Sequence, residues 1–432
     1  MSGAGGRPDG GDRGDGTGQA VTDRFYGWLE RLVHASAFER ILISGASLLL
    51  SVLVGIVLIL MAGRMTSCST AATTFFGVGF CYDPFLVFDK LFLGALGNPI
   101  NPAFRPLELQ FAWIIRPGFD PLNGQLATTL SETTILMFAG VAVAIAFRAG
   151  IFNIGAQGQL VVGALATAIV LLQIAPYFSG LLGTVVLLSV GLFVGATAGG
   201  LFAAIPGALL AYAEANEVIT TIMLNFVASS VALYLVSNQF KDPESFANQT
   251  VALPDHSLFP SVIFRARDDF SIIAFIVAVG LLVGIWYLLN HTSLGYDIRT
   301  SGLQPDAAEY AGVNAERTVM AGMILSGALA GIGGAVYVLM VLGNFQVGVP
   351  GYGFDGITVS ILAGNHPLGV AFAGLLFGVL KSGSIVVDVG SDVPPQLVGV
   401  LRGLIILFVA MPEFFRMRSE ERRVGKECIV KC

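Results

Sequence analysis

The sequence predicts an all-α polytopic membrane protein with about ten transmembrane helices, and three observations carry that expectation. Hydrophobic residues make up 55% of the 432-residue chain and charged residues only 12%, about half the roughly 25% of an ordinary soluble domain. Mean hydropathy is +0.78, so there is too little polar surface to cover a body in water. Apolar runs then recur at lengths near the ~20 residues a helix needs to cross the hydrocarbon core. Soluble enzymes and nucleic-acid binders are excluded, and a net charge of −6 gives no phosphate-seeking surface.

Residues 1–40 read as a Gly/Asp-rich cytoplasmic tail followed by a short amphipathic helix, with Phe25, Trp28, Leu29, Leu32 and Val33 at helical spacing beside Arg24, Arg31 and Arg40. Such a helix suits the lipid surface, or packing on the bundle. The first span covers 41–63, and 64–130 forms a long extracytoplasmic loop. The transmembrane core, 131–411, holds Ser131–Arg148, Gln157–Leu172, Leu181–Leu209, Val218–Val236, Phe270–Leu289, Val319–Leu342, Pro367–Val387 and Pro395–Met411. Between Val319–Leu342 and Pro367–Val387 lies Phe354–Ala363, too short to span alone and either a broken or half helix or a re-entrant loop. Residues 412–432 form a tail, of which 418–432 continues no apolar pattern and resembles a translated sequencing adapter.

Charge bias sets the expected orientation. With the N-terminus inside, and setting aside the loop 64–130 as too long to obey the rule, Arg7, Arg13, Arg24, Arg31, Arg40, Arg148, Arg299, Arg317 and Arg416 lie inside, against Lys241, Arg265 and Arg267 outside. That is the positive-inside pattern. Both termini are cytoplasmic only if the crossings are even in number, so the short segment counts as the tenth. Cys68 and Cys81 then share the outer loop, where an oxidising exterior favours a disulfide over two free thiols.

Polar residues within spans point to function. Glu217, Thr221, Asn225 and Ser229 recur every fourth residue on the fifth span and form one polar face. In hydrocarbon each needs a partner or water, so the stripe either lines a solute pathway or is interhelical hydrogen-bond glue. FNIGAQGQ (Phe152–Gln159) opens the third span and GVPGYGFDG (Gly348–Gly356) the eighth. These are corresponding positions of two inverted five-helix halves, and paired broken helices are how midplane solute sites are built. Asn153, Gln157, Gln159 and Asp355 would supply donors and acceptors for a neutral polar solute. The alternative is glycine turns with no binding role. Lys381 and Arg402 are in-span cations expected to be paired, with Asp388 the acid on hand. Glu217 and Asp355 sit near span ends, leaving the span middles without acids.

The inner segment Thr292–Thr318 contains a two-turn helix at Pro305–Ala311, with Pro305 in the first turn, Asp306 at the positive end and Gly312 as terminator. With Arg299, Ala307, Ala308 and Tyr310 it is either a docking element or a structured loop. FRAGIFNIGAQGQ, NEVITTIMLN, TSLGYDIRTSGLQPDAAEYAGV and GYGFDGITVSILAGNHPLG together resemble the permease subunits of ABC importers. The nearest branch is the nucleoside and simple-sugar one, related to ribose and branched-chain amino acid permeases. The resemblance covers about Ser131 to Met411. It implies a plasma-membrane importer subunit without enzymatic activity or cofactor, working with cytoplasmic ATPase subunits, an extracytoplasmic solute-binding protein and a second permease, the same or homologous. It also implies that Arg299, Pro305, Asp306, Ala307, Ala308, Tyr310 and Gly312 belong to the ATPase-coupling loop. Members usually carry an acid where Gln157 stands. The rival class is an ion-coupled secondary transporter of a similar solute. Without GxxxxGK[ST] the chain lacks the usual ATP cradle.

Overall fold

The computed structural model describes residues 37–75, 77–99, 119–265 and 267–411, with side chains from residue 45 onward. The amphipathic segment at 23–33 and the tail at 412–432 lie outside the described residues. In chain order come helix α1 (Ala37–Met65), a hairpin of β1 (Thr73–Phe75) and β2 (Val78–Phe80), and α2 (Pro84–Phe92). Then follow α3 (Gly124–Arg148), α4 (Ala156–Ile174), α5 (Gly180–Ala213), α6 (Glu217–Leu235) and α7 (Ile272–His291). The chain continues with α8 (Ser293–Leu303), α9 (Pro305–Tyr310), α10 (Ala315–Val336), α11 (Tyr352–Leu362), α12 (Pro367–Gly390) and α13 (Pro395–Met411). Among the described residues, eight helices are long and apolar enough to cross a membrane: α1, α3 to α7, α10 and α12.

Local chemistry marks the starts. The side chains of Asn123, Asn216, Thr292 and Asn314 accept from the backbone N–H groups of Leu126, Ile219, Gly295 and Arg317, capping α3, α6, α8 and α10. Asp83 caps α2 with Pro84 in its first turn. The sequence-derived spans agree with the helices to within a few residues, except that α3 begins at Gly124 and not at Ser131. Its extra turns, QLATT, look too polar for a span. Inside the bundle their hydroxyls are satisfied, with Thr128 donating to Gly124 O in its own helix and Thr129 to Ala95 O across the packing.

Helix α3 is the axis of the molecule, with every residue from Thr133 to Ala146 buried. Around it α4, α5, α10, α11 and α12 make the main core. Outward faces are apolar and bare, as lipid contact requires: Leu182 is 82% and Phe226 66% exposed. Helices α5 and α10 approach through glycine. A Cβ at Gly195 would lie 2.7 Å from the Gly331 carbonyl oxygen and 2.8 Å from the Ala335 Cβ, and one at Gly199 would overlap Gly327 O. In lipid, where no hydrophobic force drives helices together, such close van der Waals contact supplies the adhesion.

A second core joins α1, α2, α12 and α13 through Ile59, Val87, Phe88, Leu91, Leu380, Leu401 and Ile405. The expected outer loop therefore contributes a packed helix, α2, to this core. The α2 segment PFLVFDKLF was hidden in the sequence because nine residues, two of them charged, are too few to span. The same end of the bundle carries the Cys68–Cys81 disulfide, which closes the β1–β2 hairpin. At the opposite end Arg148 Nε donates to Asn365 O (2.9 Å); these are the disulfide end and the Arg148 end.

Candidate functional site: two interrupted helices and an ion cluster

Helix α11 has 11 residues, about 16 Å at 1.5 Å per residue and half of a ~30 Å hydrocarbon core. It begins deep in the bundle and runs to the Arg148 end. Helix α4 also begins inside the bundle but runs the other way, ending where Ala175 O meets His256 Nε2. The two N-termini meet. Gly353 packs so closely on the Gln157 backbone that any Cβ there would overlap it. The Gln157 side chain ties α4 to the start of α11 twice, accepting from Gly353 N (2.8 Å) and donating to Pro350 O (3.0 Å). A neutral amide suits this place, because it donates and accepts at once where a carboxylate could only accept.

The remaining amides stitch the break before α4. Asn153 donates to Gln159 Oε1 (3.0 Å) and Ser326 Oγ (2.8 Å) while its own oxygen accepts from Gly155 N. Ser326 in turn donates to Ala142 O. Asn225 accepts from Gly158 N (2.8 Å) and donates to Ile154 O (3.0 Å). Those are backbone groups that an unbroken helix would have satisfied for itself. Gly158 has to be glycine, since a Cβ there would lie 2.8 Å from Asn225 Oδ1 and 3.1 Å from its Cα.

The polar face of α6 thus divides. Thr221 and Asn225 are buried, and Thr221 donates to Glu217 O within its own helix. Glu217 is half-buried at the Arg148 end, and Ser229 is exposed on the outer surface of α6.

An ion cluster near the α11 start was not legible in the sequence. Lys381 Nζ lies 3.3 Å from Glu132 Oε2, 3.5 Å from Asp355 Oδ2 and 3.4 Å from the centroid of the Tyr352 ring. Tyr352 Oη donates to the other Glu132 oxygen (3.1 Å), and the Tyr337 ring packs edge-on at 5.3 Å. Two expectations are corrected. Lys381 pairs with Glu132 and Asp355, whereas Asp388 is exposed seven residues further along α12. Glu132, the ninth of 25 residues in α3, is an acid well inside a span, where none was expected. Arg402 has no ion-pair partner among the described residues. One cation between two carboxylates joins α3, α11 and α12, and Asp355 in the first turn of α11 faces the positive end of that helix. An unpartnered lysine in a span was the signal available; only the packing names its partners, 249 and 26 positions away.

At the Arg148 end, α9 begins with Pro305 and Asp306, and Gly312 adopts φ +86° just beyond it. Tyr310 is 96% and Leu303 80% exposed, whereas Ala308 is fully buried. Ala307 is on the exposed side with Tyr310; Arg299 lies on α8, its Nε donating to Gly295 O.

Residues 125–410 match the family described as branched-chain amino acid transport system / permease component. The guanosine ABC transporter permease protein NupP of Bacillus subtilis is 35% identical over 289 residues, covering 65% of this chain and 80% of that protein. The nucleoside ABC transporter permease protein NupB of Lactococcus lactis subsp. cremoris is 32% identical over 341 residues, 77% of this chain and 85% of its own. The glucose ABC transporter permease protein TsgB13 of Haloferax volcanii is 33% identical over 343 residues, covering 74% and 89%. No solved structure matches the chain. With a multi-helix membrane core, paired interrupted helices and this match over most of its length, the chain belongs to the branched-chain amino acid transport system permease family and is a permease component of an ABC transporter.

Proposed function

We propose that the chain forms the translocation pathway for a neutral, hydroxyl-bearing solute, a nucleoside or a simple sugar. The observation that carries this is the junction of α4 and α11. Two helix N-termini meet inside the bundle, held by side-chain amides and with little net charge in the amide network itself. Neutral amides, which donate and accept at once, suit a hydrogen-bonding solute without a charge of its own. The relatives named for guanosine, nucleosides and glucose support the same class. Asn153, Gln157, Gln159, Thr221 and Asn225 hold the break in shape, while Glu217 and Asp355 retain exposed polar atoms for contact with the moving solute.

The partners are cytoplasmic ATPase subunits, an extracytoplasmic solute-binding protein and a second permease, with membrane lipid around the bundle. The Arg148 end faces the cytoplasm, as the positive-inside count favours, which puts the disulfide outside and both termini inside. The exposed face of α9, led by Tyr310, docks the ATPase. Uptake of labelled uridine, guanosine, ribose and glucose into proteoliposomes holding the complete complex tests the proposal. ATP-dependent accumulation of at least one is expected. Accumulation that persists without the ATPase and collapses with the proton gradient would instead make the chain an ion-coupled carrier.

A further inference from the structure

At the Arg148 end two guanidiniums meet without an acid. Arg148 closes α3, and its Nε is taken by Asn365 O in the turn before α12. Arg299 lies on α8, its Nε donating to Gly295 O one turn back in the same helix (3.4 Å). The backbone brings the two segments together, since a Cβ on Gly302, in the last turn of α8, would overlap Arg148 O. Arg299 is close enough to repel Arg148. His366 follows Asn365, and partial burial, then the Arg148 charge, push its imidazole below the ordinary value. Among the described residues no carboxylate forms an ion pair with either arginine. Their Nη atoms make no hydrogen bond there and none of these atoms is fully buried, so both guanidinium edges open at the surface.

Like charges held together raise the energy of the free chain unless an anion lies between them. A carboxylate suits such a pair, because the planar guanidinium fork donates two parallel hydrogen bonds to it. The position of the pair says where the carboxylate comes from. Helix α3 is the axis of the bundle, packed on α4, α7, α8, α10, α11 and α12. Its end therefore opens toward the middle of the face, away from the bare apolar rim that lipid covers. Arg299 also shares α8 with Leu303, which leads directly into α9 and the exposed Tyr310.

We infer that Arg148 and Arg299 form a socket for one carboxylate of the ATPase subunit. The inference deepens the docking reading above and rests on it. The ion pair lies beside α9, so Tyr310 and the arginines hold the partner at two points and fix its rotation. Docking relieves the repulsion between the guanidiniums, which adds to the attraction. Arg148 also grips Asn365 O, so a shift of the ATPase carboxylate reaches the turn between the interrupted helix α11 and α12.

The test uses the full chain in nanodiscs of phosphatidylcholine, alone or with phosphatidylglycerol, and reads the affinity of the purified ATPase subunits at about 50 and 500 mM salt. Wild-type affinity is expected to fall with salt. Arg299→Glu should weaken binding about tenfold at low salt, and Arg299→Gln should flatten the salt dependence. The Arg299 side chain bonds only to its own helix, and the neutral variant keeps the test open if the reversed one folds poorly. Arg317→Glu makes the same charge change at an exposed residue of the same end and should stay within about twofold. Reversing the ATPase acids one at a time to Lys should yield one change that restores binding to Arg299→Glu and not to Arg317→Glu. Equal effects of the two reversals would overturn the inference. So would a loss confined to nanodiscs holding phosphatidylglycerol, which would make the pair a lipid-headgroup site. A wild-type chain that binds no ATPase under any of these conditions would instead remove the docking reading on which the socket rests.

Discussion

Replacing Lys381 by methionine isolates what the ion cluster contributes. Methionine keeps the length and the apolar stem, so packing changes little, but it removes the one cation between Glu132 and Asp355. At 3.3 and 3.5 Å each attraction is about 5 kcal/mol at an effective dielectric constant of 20. Desolvation of the three groups cancels much of that sum. Removing one partner leaves the other charges buried without compensation, which typically costs about 3–5 kcal/mol. The Lys381 and Glu132 side chains are only 15% and 13% exposed, so solvent screens them little. Equilibrium unfolding of the purified protein in mixed micelles should therefore show Lys381→Met less stable by about 3–5 kcal/mol. Adding Glu132→Gln removes one stranded carboxylate, so the double variant should regain a substantial part of the loss. A Lys381→Met protein within about 1 kcal/mol of wild type would refute the reasoning, because it falls well below any cost of a stranded buried charge. Simple additivity in the double variant would refute it too, since groups in one network couple.

Asn225→Leu should destabilise the protein by about 2–6 kcal/mol and reduce uptake, because it strands Gly158 N and Ile154 O, at about 1–3 kcal/mol each; Leu224→Ala should do less, and equal effects at matched expression would sink the clasp. Gly331→Val should abolish accumulation of folded protein, since even a Cβ overlaps the Gly195 carbonyl, and normal levels by fluorescence-detected size exclusion would contradict the close α5–α10 packing. A membrane-impermeant maleimide should label neither Cys68 nor Cys81 in intact cells without reductant; ready labelling of both would mean no disulfide closes the hairpin. Tyr310→Ala, at an exposed site, should leave stability within about 0.5 kcal/mol while lowering solute-stimulated ATP hydrolysis, and full stimulation would take α9 out of the docking role.

By itself the sequence determined the class of molecule and the places where helices stop. Apolar length is a local property, so every span but α3 could be read to within a few residues, and the paired glycine breaks at Phe152–Gln159 and Gly348–Gly356 marked both interrupted helices. The capped turn at Pro305 and the αL glycine at 312 were legible for the same reason, because caps and terminators act over four or five residues. The partners of polar groups were not. The stripe on α6 showed that Thr221 and Asn225 need hydrogen bonds, but only the fold shows them turned inward, Asn225 onto the start of α4, with Ser229 left on the surface. Lys381 announced a buried cation, yet Asp388, near it in sequence on the same helix, is exposed, and the carboxylates that reach it come from α3 and α11. Helix α2 escaped because burial against α1, α12 and α13 makes it a helix, not its own length. Periodicity and capping are written into neighbouring residues; pairing energy in a low-dielectric interior depends on distances of 3–4 Å between segments far apart in the chain, and those are set by the tertiary structure alone.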